Sequence, residues 1–138
     1  MKRIVERCAG LDVHKASITA CVRTSGEAGE PHQEEVREFS TTTRGLLQLR
    51  DWLASFAVTL VGMEATGVYW KPVYYLLEDD FELWLLNAGH LKNVPGRKTD
   101  VKDAEWICRL VEHGLVRPSF VPPKEIRELK NLTRYRKA

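Results

Sequence analysis

Asp12, Glu64, Asp100 and Asp103 are the acids whose placement suggests chemistry. Asp12 interrupts the apolar run Ala9-Gly-Leu-Asp-Val13, and Glu64 closes another, Leu60-Val-Gly-Met-Glu64. Asp100 and Asp103 form Asp-x-x-Asp at the start of a helical pattern. A carboxylate within an apolar strand costs free energy unless its charge is compensated. A hard divalent cation supplies that compensation, and Mg²⁺ takes a few carboxylates together with substrate phosphate. Two such ions about 4 Å apart stabilise both the attacking and the leaving oxygen of an in-line displacement. The tetrad therefore points to phosphate chemistry supported by Mg²⁺ or Mn²⁺.

Each acid taken singly has a plainer reading. Asp12 reads equally as a polar residue ending its strand beside a turn. Asp100 reads as a helix N-cap, with Asp103 as its capping-box partner in a first turn that favours anions. Glu64 is harder to explain this way, because Glu is rarely buried unpaired and does not favour strands. Side chains alternate along a strand, so Asp12 shares a face with Gly10 and Cys8, and Glu64 with Gly62 and Leu60. Each acid thus follows a glycine on its own face, which predicts a shallow pocket beside it where a ligand approaches. Both acids lie toward the C-terminal ends of their strands, where open α/β sheets place their sites.

The elements that must position these acids are legible from periodicity. Residues 4–13 and 16–24 read as strands joined at His14-Lys15, and residues 34–40 as a third. Thr41-Thr-Thr43 offers N-cap hydroxyls to a helix over 43–56, with Leu46, Leu49, Leu53 and Phe56 as its apolar stripe. A strand over 59–65 follows. Thr66-Gly67 forms a turn, with Thr66 a candidate cap for a helix over 68–79 that turns Tyr69, Val73, Leu76 and Leu77 inward. A fifth strand covers 81–86, a loop 87–99, and a third helix 100–113. The order β-β-β-α-β-α-β-α predicts an α/β fold: a mixed five-stranded sheet with helices on its faces. Residues 1–118 form one domain, and residues 119–138 read as a linker, marked by Pro118 and Pro122-Pro123, and the start of a basic helix from about Pro123.

At 138 residues with 43% apolar and 29% charged content, the chain suits a globular domain with a real core. Nothing approaches a membrane span or a signal peptide, so a cytoplasmic location is expected. Residues 119–138 carry six basic and two acidic side chains, whereas the first 118 carry 15 basic and 17 acidic. The chain is thus a slightly acidic body with a basic tail. Cys8, Cys21 and Cys108 lack the spacing of a zinc site or a disulfide framework and read as buried thiols.

Three segments carry a family resemblance: Gly10-Leu-Asp-Val-His-Lys15, Glu64-Ala-Thr-Gly-Val-Tyr69 and Lys98-Thr-Asp-Val-Lys-Asp-Ala104. In this order they resemble signature motifs of the DEDD insertion-sequence transposases. The N-terminal domain of that family is similar to the RuvC Holliday-junction resolvase, within the ribonuclease H-like fold. The resemblance spans about residues 4–118. It implies that Asp12, Glu64, Asp100 and Asp103 form a catalytic, metal-binding tetrad acting on DNA. It also implies a guide (bridge) RNA, a homo-oligomer, and a separate C-terminal domain whose serine attacks DNA. That serine domain is absent from this chain, so full recombination is expected to need it. Residues 119–138 then correspond to the connector and the start of a coiled-coil segment.

Further residues have two readings each. Lys15, Arg97 and Lys98 flank the acids in sequence and suit phosphate or RNA-backbone contact, or equally a solvated surface. Lys124 and Arg127 in the basic tail suit nucleic-acid contact or a solvated helix face. Tyr69, Trp70, Tyr74, Tyr75 and Trp106 read as base-stacking platforms or, more commonly, as core or subunit interface. His90 is a lone loop histidine. Two function classes remain: the catalytic half of a DNA recombinase, or a non-catalytic nucleic-acid-binding and oligomerising module. A nucleotide-dependent kinase or ATPase on a related fold ranks below both, because no glycine-rich phosphate loop is present.

Overall fold

Three strands open the chain as an antiparallel meander: β1 (Arg7–Val13), β2 (Ser17–Thr24) and β3 (Gln33–Ser40). They are followed by α1 (Thr43–Ser55), β4 (Leu60–Glu64), α2 (Trp70–Leu77), β5 (Glu82–Leu86) and α3 (Asp103–Glu112). The structure, a computed structural model, describes residues 5–24, 33–64, 67–87, 89, 91, 94–96 and 102–122. The element order is the one the sequence predicts. The five strands form one sheet in the order β3-β2-β1-β4-β5, antiparallel from β3 to β1 and parallel from β1 to β5.

Strand β1 is central, so it is covered on both faces and reads as a nearly unbroken apolar run. Ala9, Leu11 and Val13 pack with Val61, Met63 and the inner sides of α1 and α2. Cys8 and Cys21 face the other way, with Leu60, onto α3. Edge strand β3 is exposed except for Phe39, and its charged residues discourage edge-to-edge pairing.

Helix α1 is capped as its threonines predict: the Gly45 N–H donates to Thr42 Oγ1 at 3.1 Å. Leu46, Leu49 and Leu53 form its buried stripe. Helix α2 is shorter than its periodicity suggests. The turn Gly67–Tyr69 precedes it, so the inner pair is Val73 and Leu77, while Tyr69, expected inside, is exposed. The stretch after β5 is not simply a loop: the Leu91 N–H donates to the Asn87 carbonyl at 3.2 Å, an i→i−4 turn that buries Leu91.

Helix α3 starts at Asp103, with Lys102 as its N-cap and no side-chain cap bond. The Trp106 N–H donates to the Lys102 carbonyl at 2.9 Å, the first bond of the helix. Asp103 is therefore the first helical residue, not the third that a capping-box partner would occupy, and Asp100, the expected N-cap, lies outside the described residues. Trp106 is core rather than a stacking platform: it is buried, and its indole N–H donates to the Leu91 carbonyl at 3.2 Å.

Candidate metal centre

Parallel pairing sets Gly10 opposite Gly62 and Leu11 opposite Met63, which brings Asp12 and Glu64 side by side at the C-terminal ends of β1 and β4. Both acids project toward α3, because the residues two positions earlier, Gly10 and Gly62, lie beneath that helix. A Cβ on Gly10 would collide with the Ala104 carbonyl oxygen and lie 2.5 Å from the Cys108 nitrogen. A Cβ on Gly62 would lie 2.5 Å from Val111 Cγ2. The ligand pockets expected from sequence beside these glycines are therefore filled by α3. The glycines let α3 lie directly on the sheet, backbone against backbone at Gly10.

This close packing delivers the third acid. Asp103, at the first position of α3, joins Asp12 and Glu64 so that one carboxylate oxygen from each lies within 4.8 Å of the others. Asp12 and Glu64 are half-buried and Asp103 is exposed, so the group opens to solvent on one side. The helix N-terminus contributes partial positive charge at Asp103 and eases the convergence of like charges. Three carboxylates at this spacing fit the oxygen-rich coordination of a hard divalent cation. Asp100, Arg97, Lys98, Lys124 and Arg127 lie outside the described residues, as do Thr66 and His90.

Sequence reasoning missed His14. Its Nε2 lies 3.0 Å from Asp12 Oδ2, and the imidazole is largely exposed. The available signal was the Asp-x-His spacing at a strand end, which puts both side chains on one side. Lys15 is not gathered with the acids. It is exposed in the β1–β2 turn, and its carbonyl accepts from the Thr41 hydroxyl at 2.8 Å.

Farther along α3 a second polar group ties the helix to the sheet. Glu112 is buried, and its Oε2 accepts from Arg23 Nε at 3.3 Å. Arg23 also reaches Glu34 at 3.3 Å, and Arg109 reaches the same Glu34 oxygen at 3.6 Å. Burial works against the Arg23 charge, but the Glu112 hydrogen bond and the two carboxylates outweigh it and raise the pKa further. Between this group and the acids sit three buried free thiols, with Cys8 Sγ and Cys108 Sγ 3.8 Å apart. Burial and the neighbouring thiols push the Cys108 pKa well up, which keeps it protonated and unreactive.

The sheet order, the helices on both faces and the acids at the parallel strand ends define a ribonuclease H-like fold of the RuvC type. The chain is similar to a Thermus thermophilus RuvC structure, with a TM-score of 0.56 and 12% identity over 82% of this chain and 99% of that one. It is likewise similar to T. thermophilus RuvC in complex with Holliday junction substrate, with a TM-score of 0.54 and 11% identity over 83% and 99%. No curated protein is significantly similar in sequence. Residues 9–138 match the transposase family DEDD_Tnp_IS110, and the chain belongs to that family.

Proposed function

We propose that this chain is the metal-dependent, DNA-cleaving catalytic domain of its transposase. The observation that carries the reading is the convergence of Asp12, Glu64 and Asp103, from three separate elements, within 4.8 Å. Asp12, Glu64 and Asp103 would hold Mg²⁺ or Mn²⁺, and the family resemblance assigns Asp100 as a fourth ligand. At that position an ion would supply Lewis-acid stabilisation of charge on a phosphate under in-line attack. His14, whose Nε2 lies 3.0 Å from Asp12 Oδ2, would hold the orientation of that carboxylate. The open side at Asp103 admits a phosphodiester backbone.

DNA as the substrate is supported by family membership and by the similar RuvC bound to a Holliday junction. The family resemblance further assigns a guide RNA, assembly of several copies, and a C-terminal domain that brings a nucleophilic serine. Residues 1–118 are then the catalytic unit and 119–138 its connector. Arg97, Lys98, Lys124 and Arg127 are assigned to phosphate contact by their charge and position in sequence.

The test is cleavage of a four-way DNA junction and of a matched duplex with Mn²⁺, Mg²⁺ or EDTA. Metal-dependent hydrolytic nicking of the junction, with water attacking in place of the serine, lost in Glu64→Gln with the fold retained, is the expected result. Nicking that persists in Glu64→Gln or in EDTA would overturn the reading.

A further inference from the structure

A cleft of about 290 Å³ lies at the same end of the sheet as the acids, on the opposite face. Its apolar and aromatic walls are Leu46, Val68, Tyr69, Pro72 and Val73, with Thr41 and the charged Lys15 as its polar lining. None of these side chains belongs to the group formed by Asp12, Glu64 and Asp103. Lys15 follows Asp12 by three residues, and Val68 follows Glu64 by four, so the cleft and the acids share the rim formed by adjacent strands β1 and β4. One backbone layer separates them.

Tyr69 stands apart from its aromatic neighbours. Trp70, Tyr74 and Tyr75 pack edge-on against one another, with centroids 5.7 to 6.3 Å apart. Tyr69 takes no part in that group, makes no side-chain cap bond to α2, and is 45% exposed. Val68 beside it is 61% exposed. A solvated turn gains nothing from two large apolar side chains. A flat apolar ligand that covers them does.

We infer that this cleft takes one unpaired nucleobase from a strand whose neighbouring phosphate lies at the acids. The chemistry fits in three ways. An aromatic ring on an apolar wall offers a stacking surface to any base, without regard to sequence. A lysine at the wall suits the adjoining phosphate. A paired base has both faces stacked and cannot enter, so the cleft selects strands that are already open, as at a junction. The inference rests on the reading of the acids as a site of phosphate chemistry, and it deepens that reading by naming the substrate class as DNA with an unpaired base beside the cut.

The test separates the two. Binding is measured in EDTA to a branched DNA carrying one unpaired 2-aminopurine at the branch, and to the same DNA with an abasic residue there. The wild-type chain is expected to quench the probe and to favour the base over the abasic form by about tenfold. Tyr69→Ala is expected to abolish that preference, and Tyr69→Phe to keep it. Lys15→Ala is expected to weaken both forms alike and to lower the salt dependence by about one phosphate contact. A ribose version of the probe assigns the source of the base: tighter binding of the deoxy form supports DNA, and tighter binding of the ribo form overturns that choice. No base preference in the wild type, or an undiminished one in Tyr69→Ala, would overturn the cleft. Base preference without any metal-dependent cleavage would instead count against the metal reading alone.

Discussion

Gly10 and Ala104 are in direct backbone contact: the glycine Cα lies so near the Ala104 carbonyl that any side chain there would collide with it. Because Ala104 is adjacent to Asp103, the missing side chain at Gly10 sets how near Asp103 comes to Asp12 and Glu64. Gly10→Ala is expected to lower stability by about 1–3 kcal/mol, as overpacking does, and to weaken Mn²⁺ binding. Urea unfolding and calorimetry together check both effects. Gly62→Ala, whose new Cβ meets the side chains of Val111 and Ile107, is expected to cost less in each.

His14 contacts an acid of the site without completing the carboxylate group. Partners that orient a metal ligand are worth about 10–100-fold in affinity. His14→Ala is expected to weaken Mn²⁺ binding toward the lower end of that range while leaving the unfolding midpoint unchanged, since the imidazole is largely exposed. An unchanged affinity would reduce His14 to a surface residue.

Glu112→Gln leaves Arg23 with only the more exposed Glu34 for charge compensation. Breaking a buried ion pair on one side costs roughly 3 kcal/mol. Guanidinium unfolding is expected to show a loss of that order. Arg23→Met combined with Glu112→Leu is expected to recover much of it, because neither charge is then stranded.

Ala57 adopts φ of 53° in the turn after α1, a left-handed conformation that a side chain disfavours. Its exposed methyl contributes little packing. Ala57→Gly is expected to raise stability by about 0.5–1 kcal/mol, read as a higher unfolding midpoint, with Mn²⁺ binding unchanged because this turn is at the other end of the sheet.

The element order was legible because each element keeps a strong period: the leucines of α1 recur at helical spacing, and central β1 is nearly all apolar. Asp12 and Glu64 stood out because a charge in such a strand demands an explanation. What sequence could not supply was depth. The glycines before each acid read as room for a ligand, yet that room is occupied by α3, through contacts between residues some 45 to 98 positions apart. Tyr69 matched the apolar period of α2 but falls in the turn before it, since the helix begins one residue later. The onset of α3 at Asp103, rather than Asp100, depends on backbone geometry at Lys102 that periodicity does not encode.

The most direct measurement is calorimetric titration of Mn²⁺ into the chain and into Asp12→Asn, Glu64→Gln and Asp103→Asn, each checked for native fold by circular dichroism. The account predicts saturable binding by the wild type that is lost or sharply weakened in all three variants, because acids far apart in sequence share one ion. Binding that survives in Asp103→Asn while disappearing in the other two would remove α3 from the site. Equal binding in all four proteins would contradict the metal centre altogether.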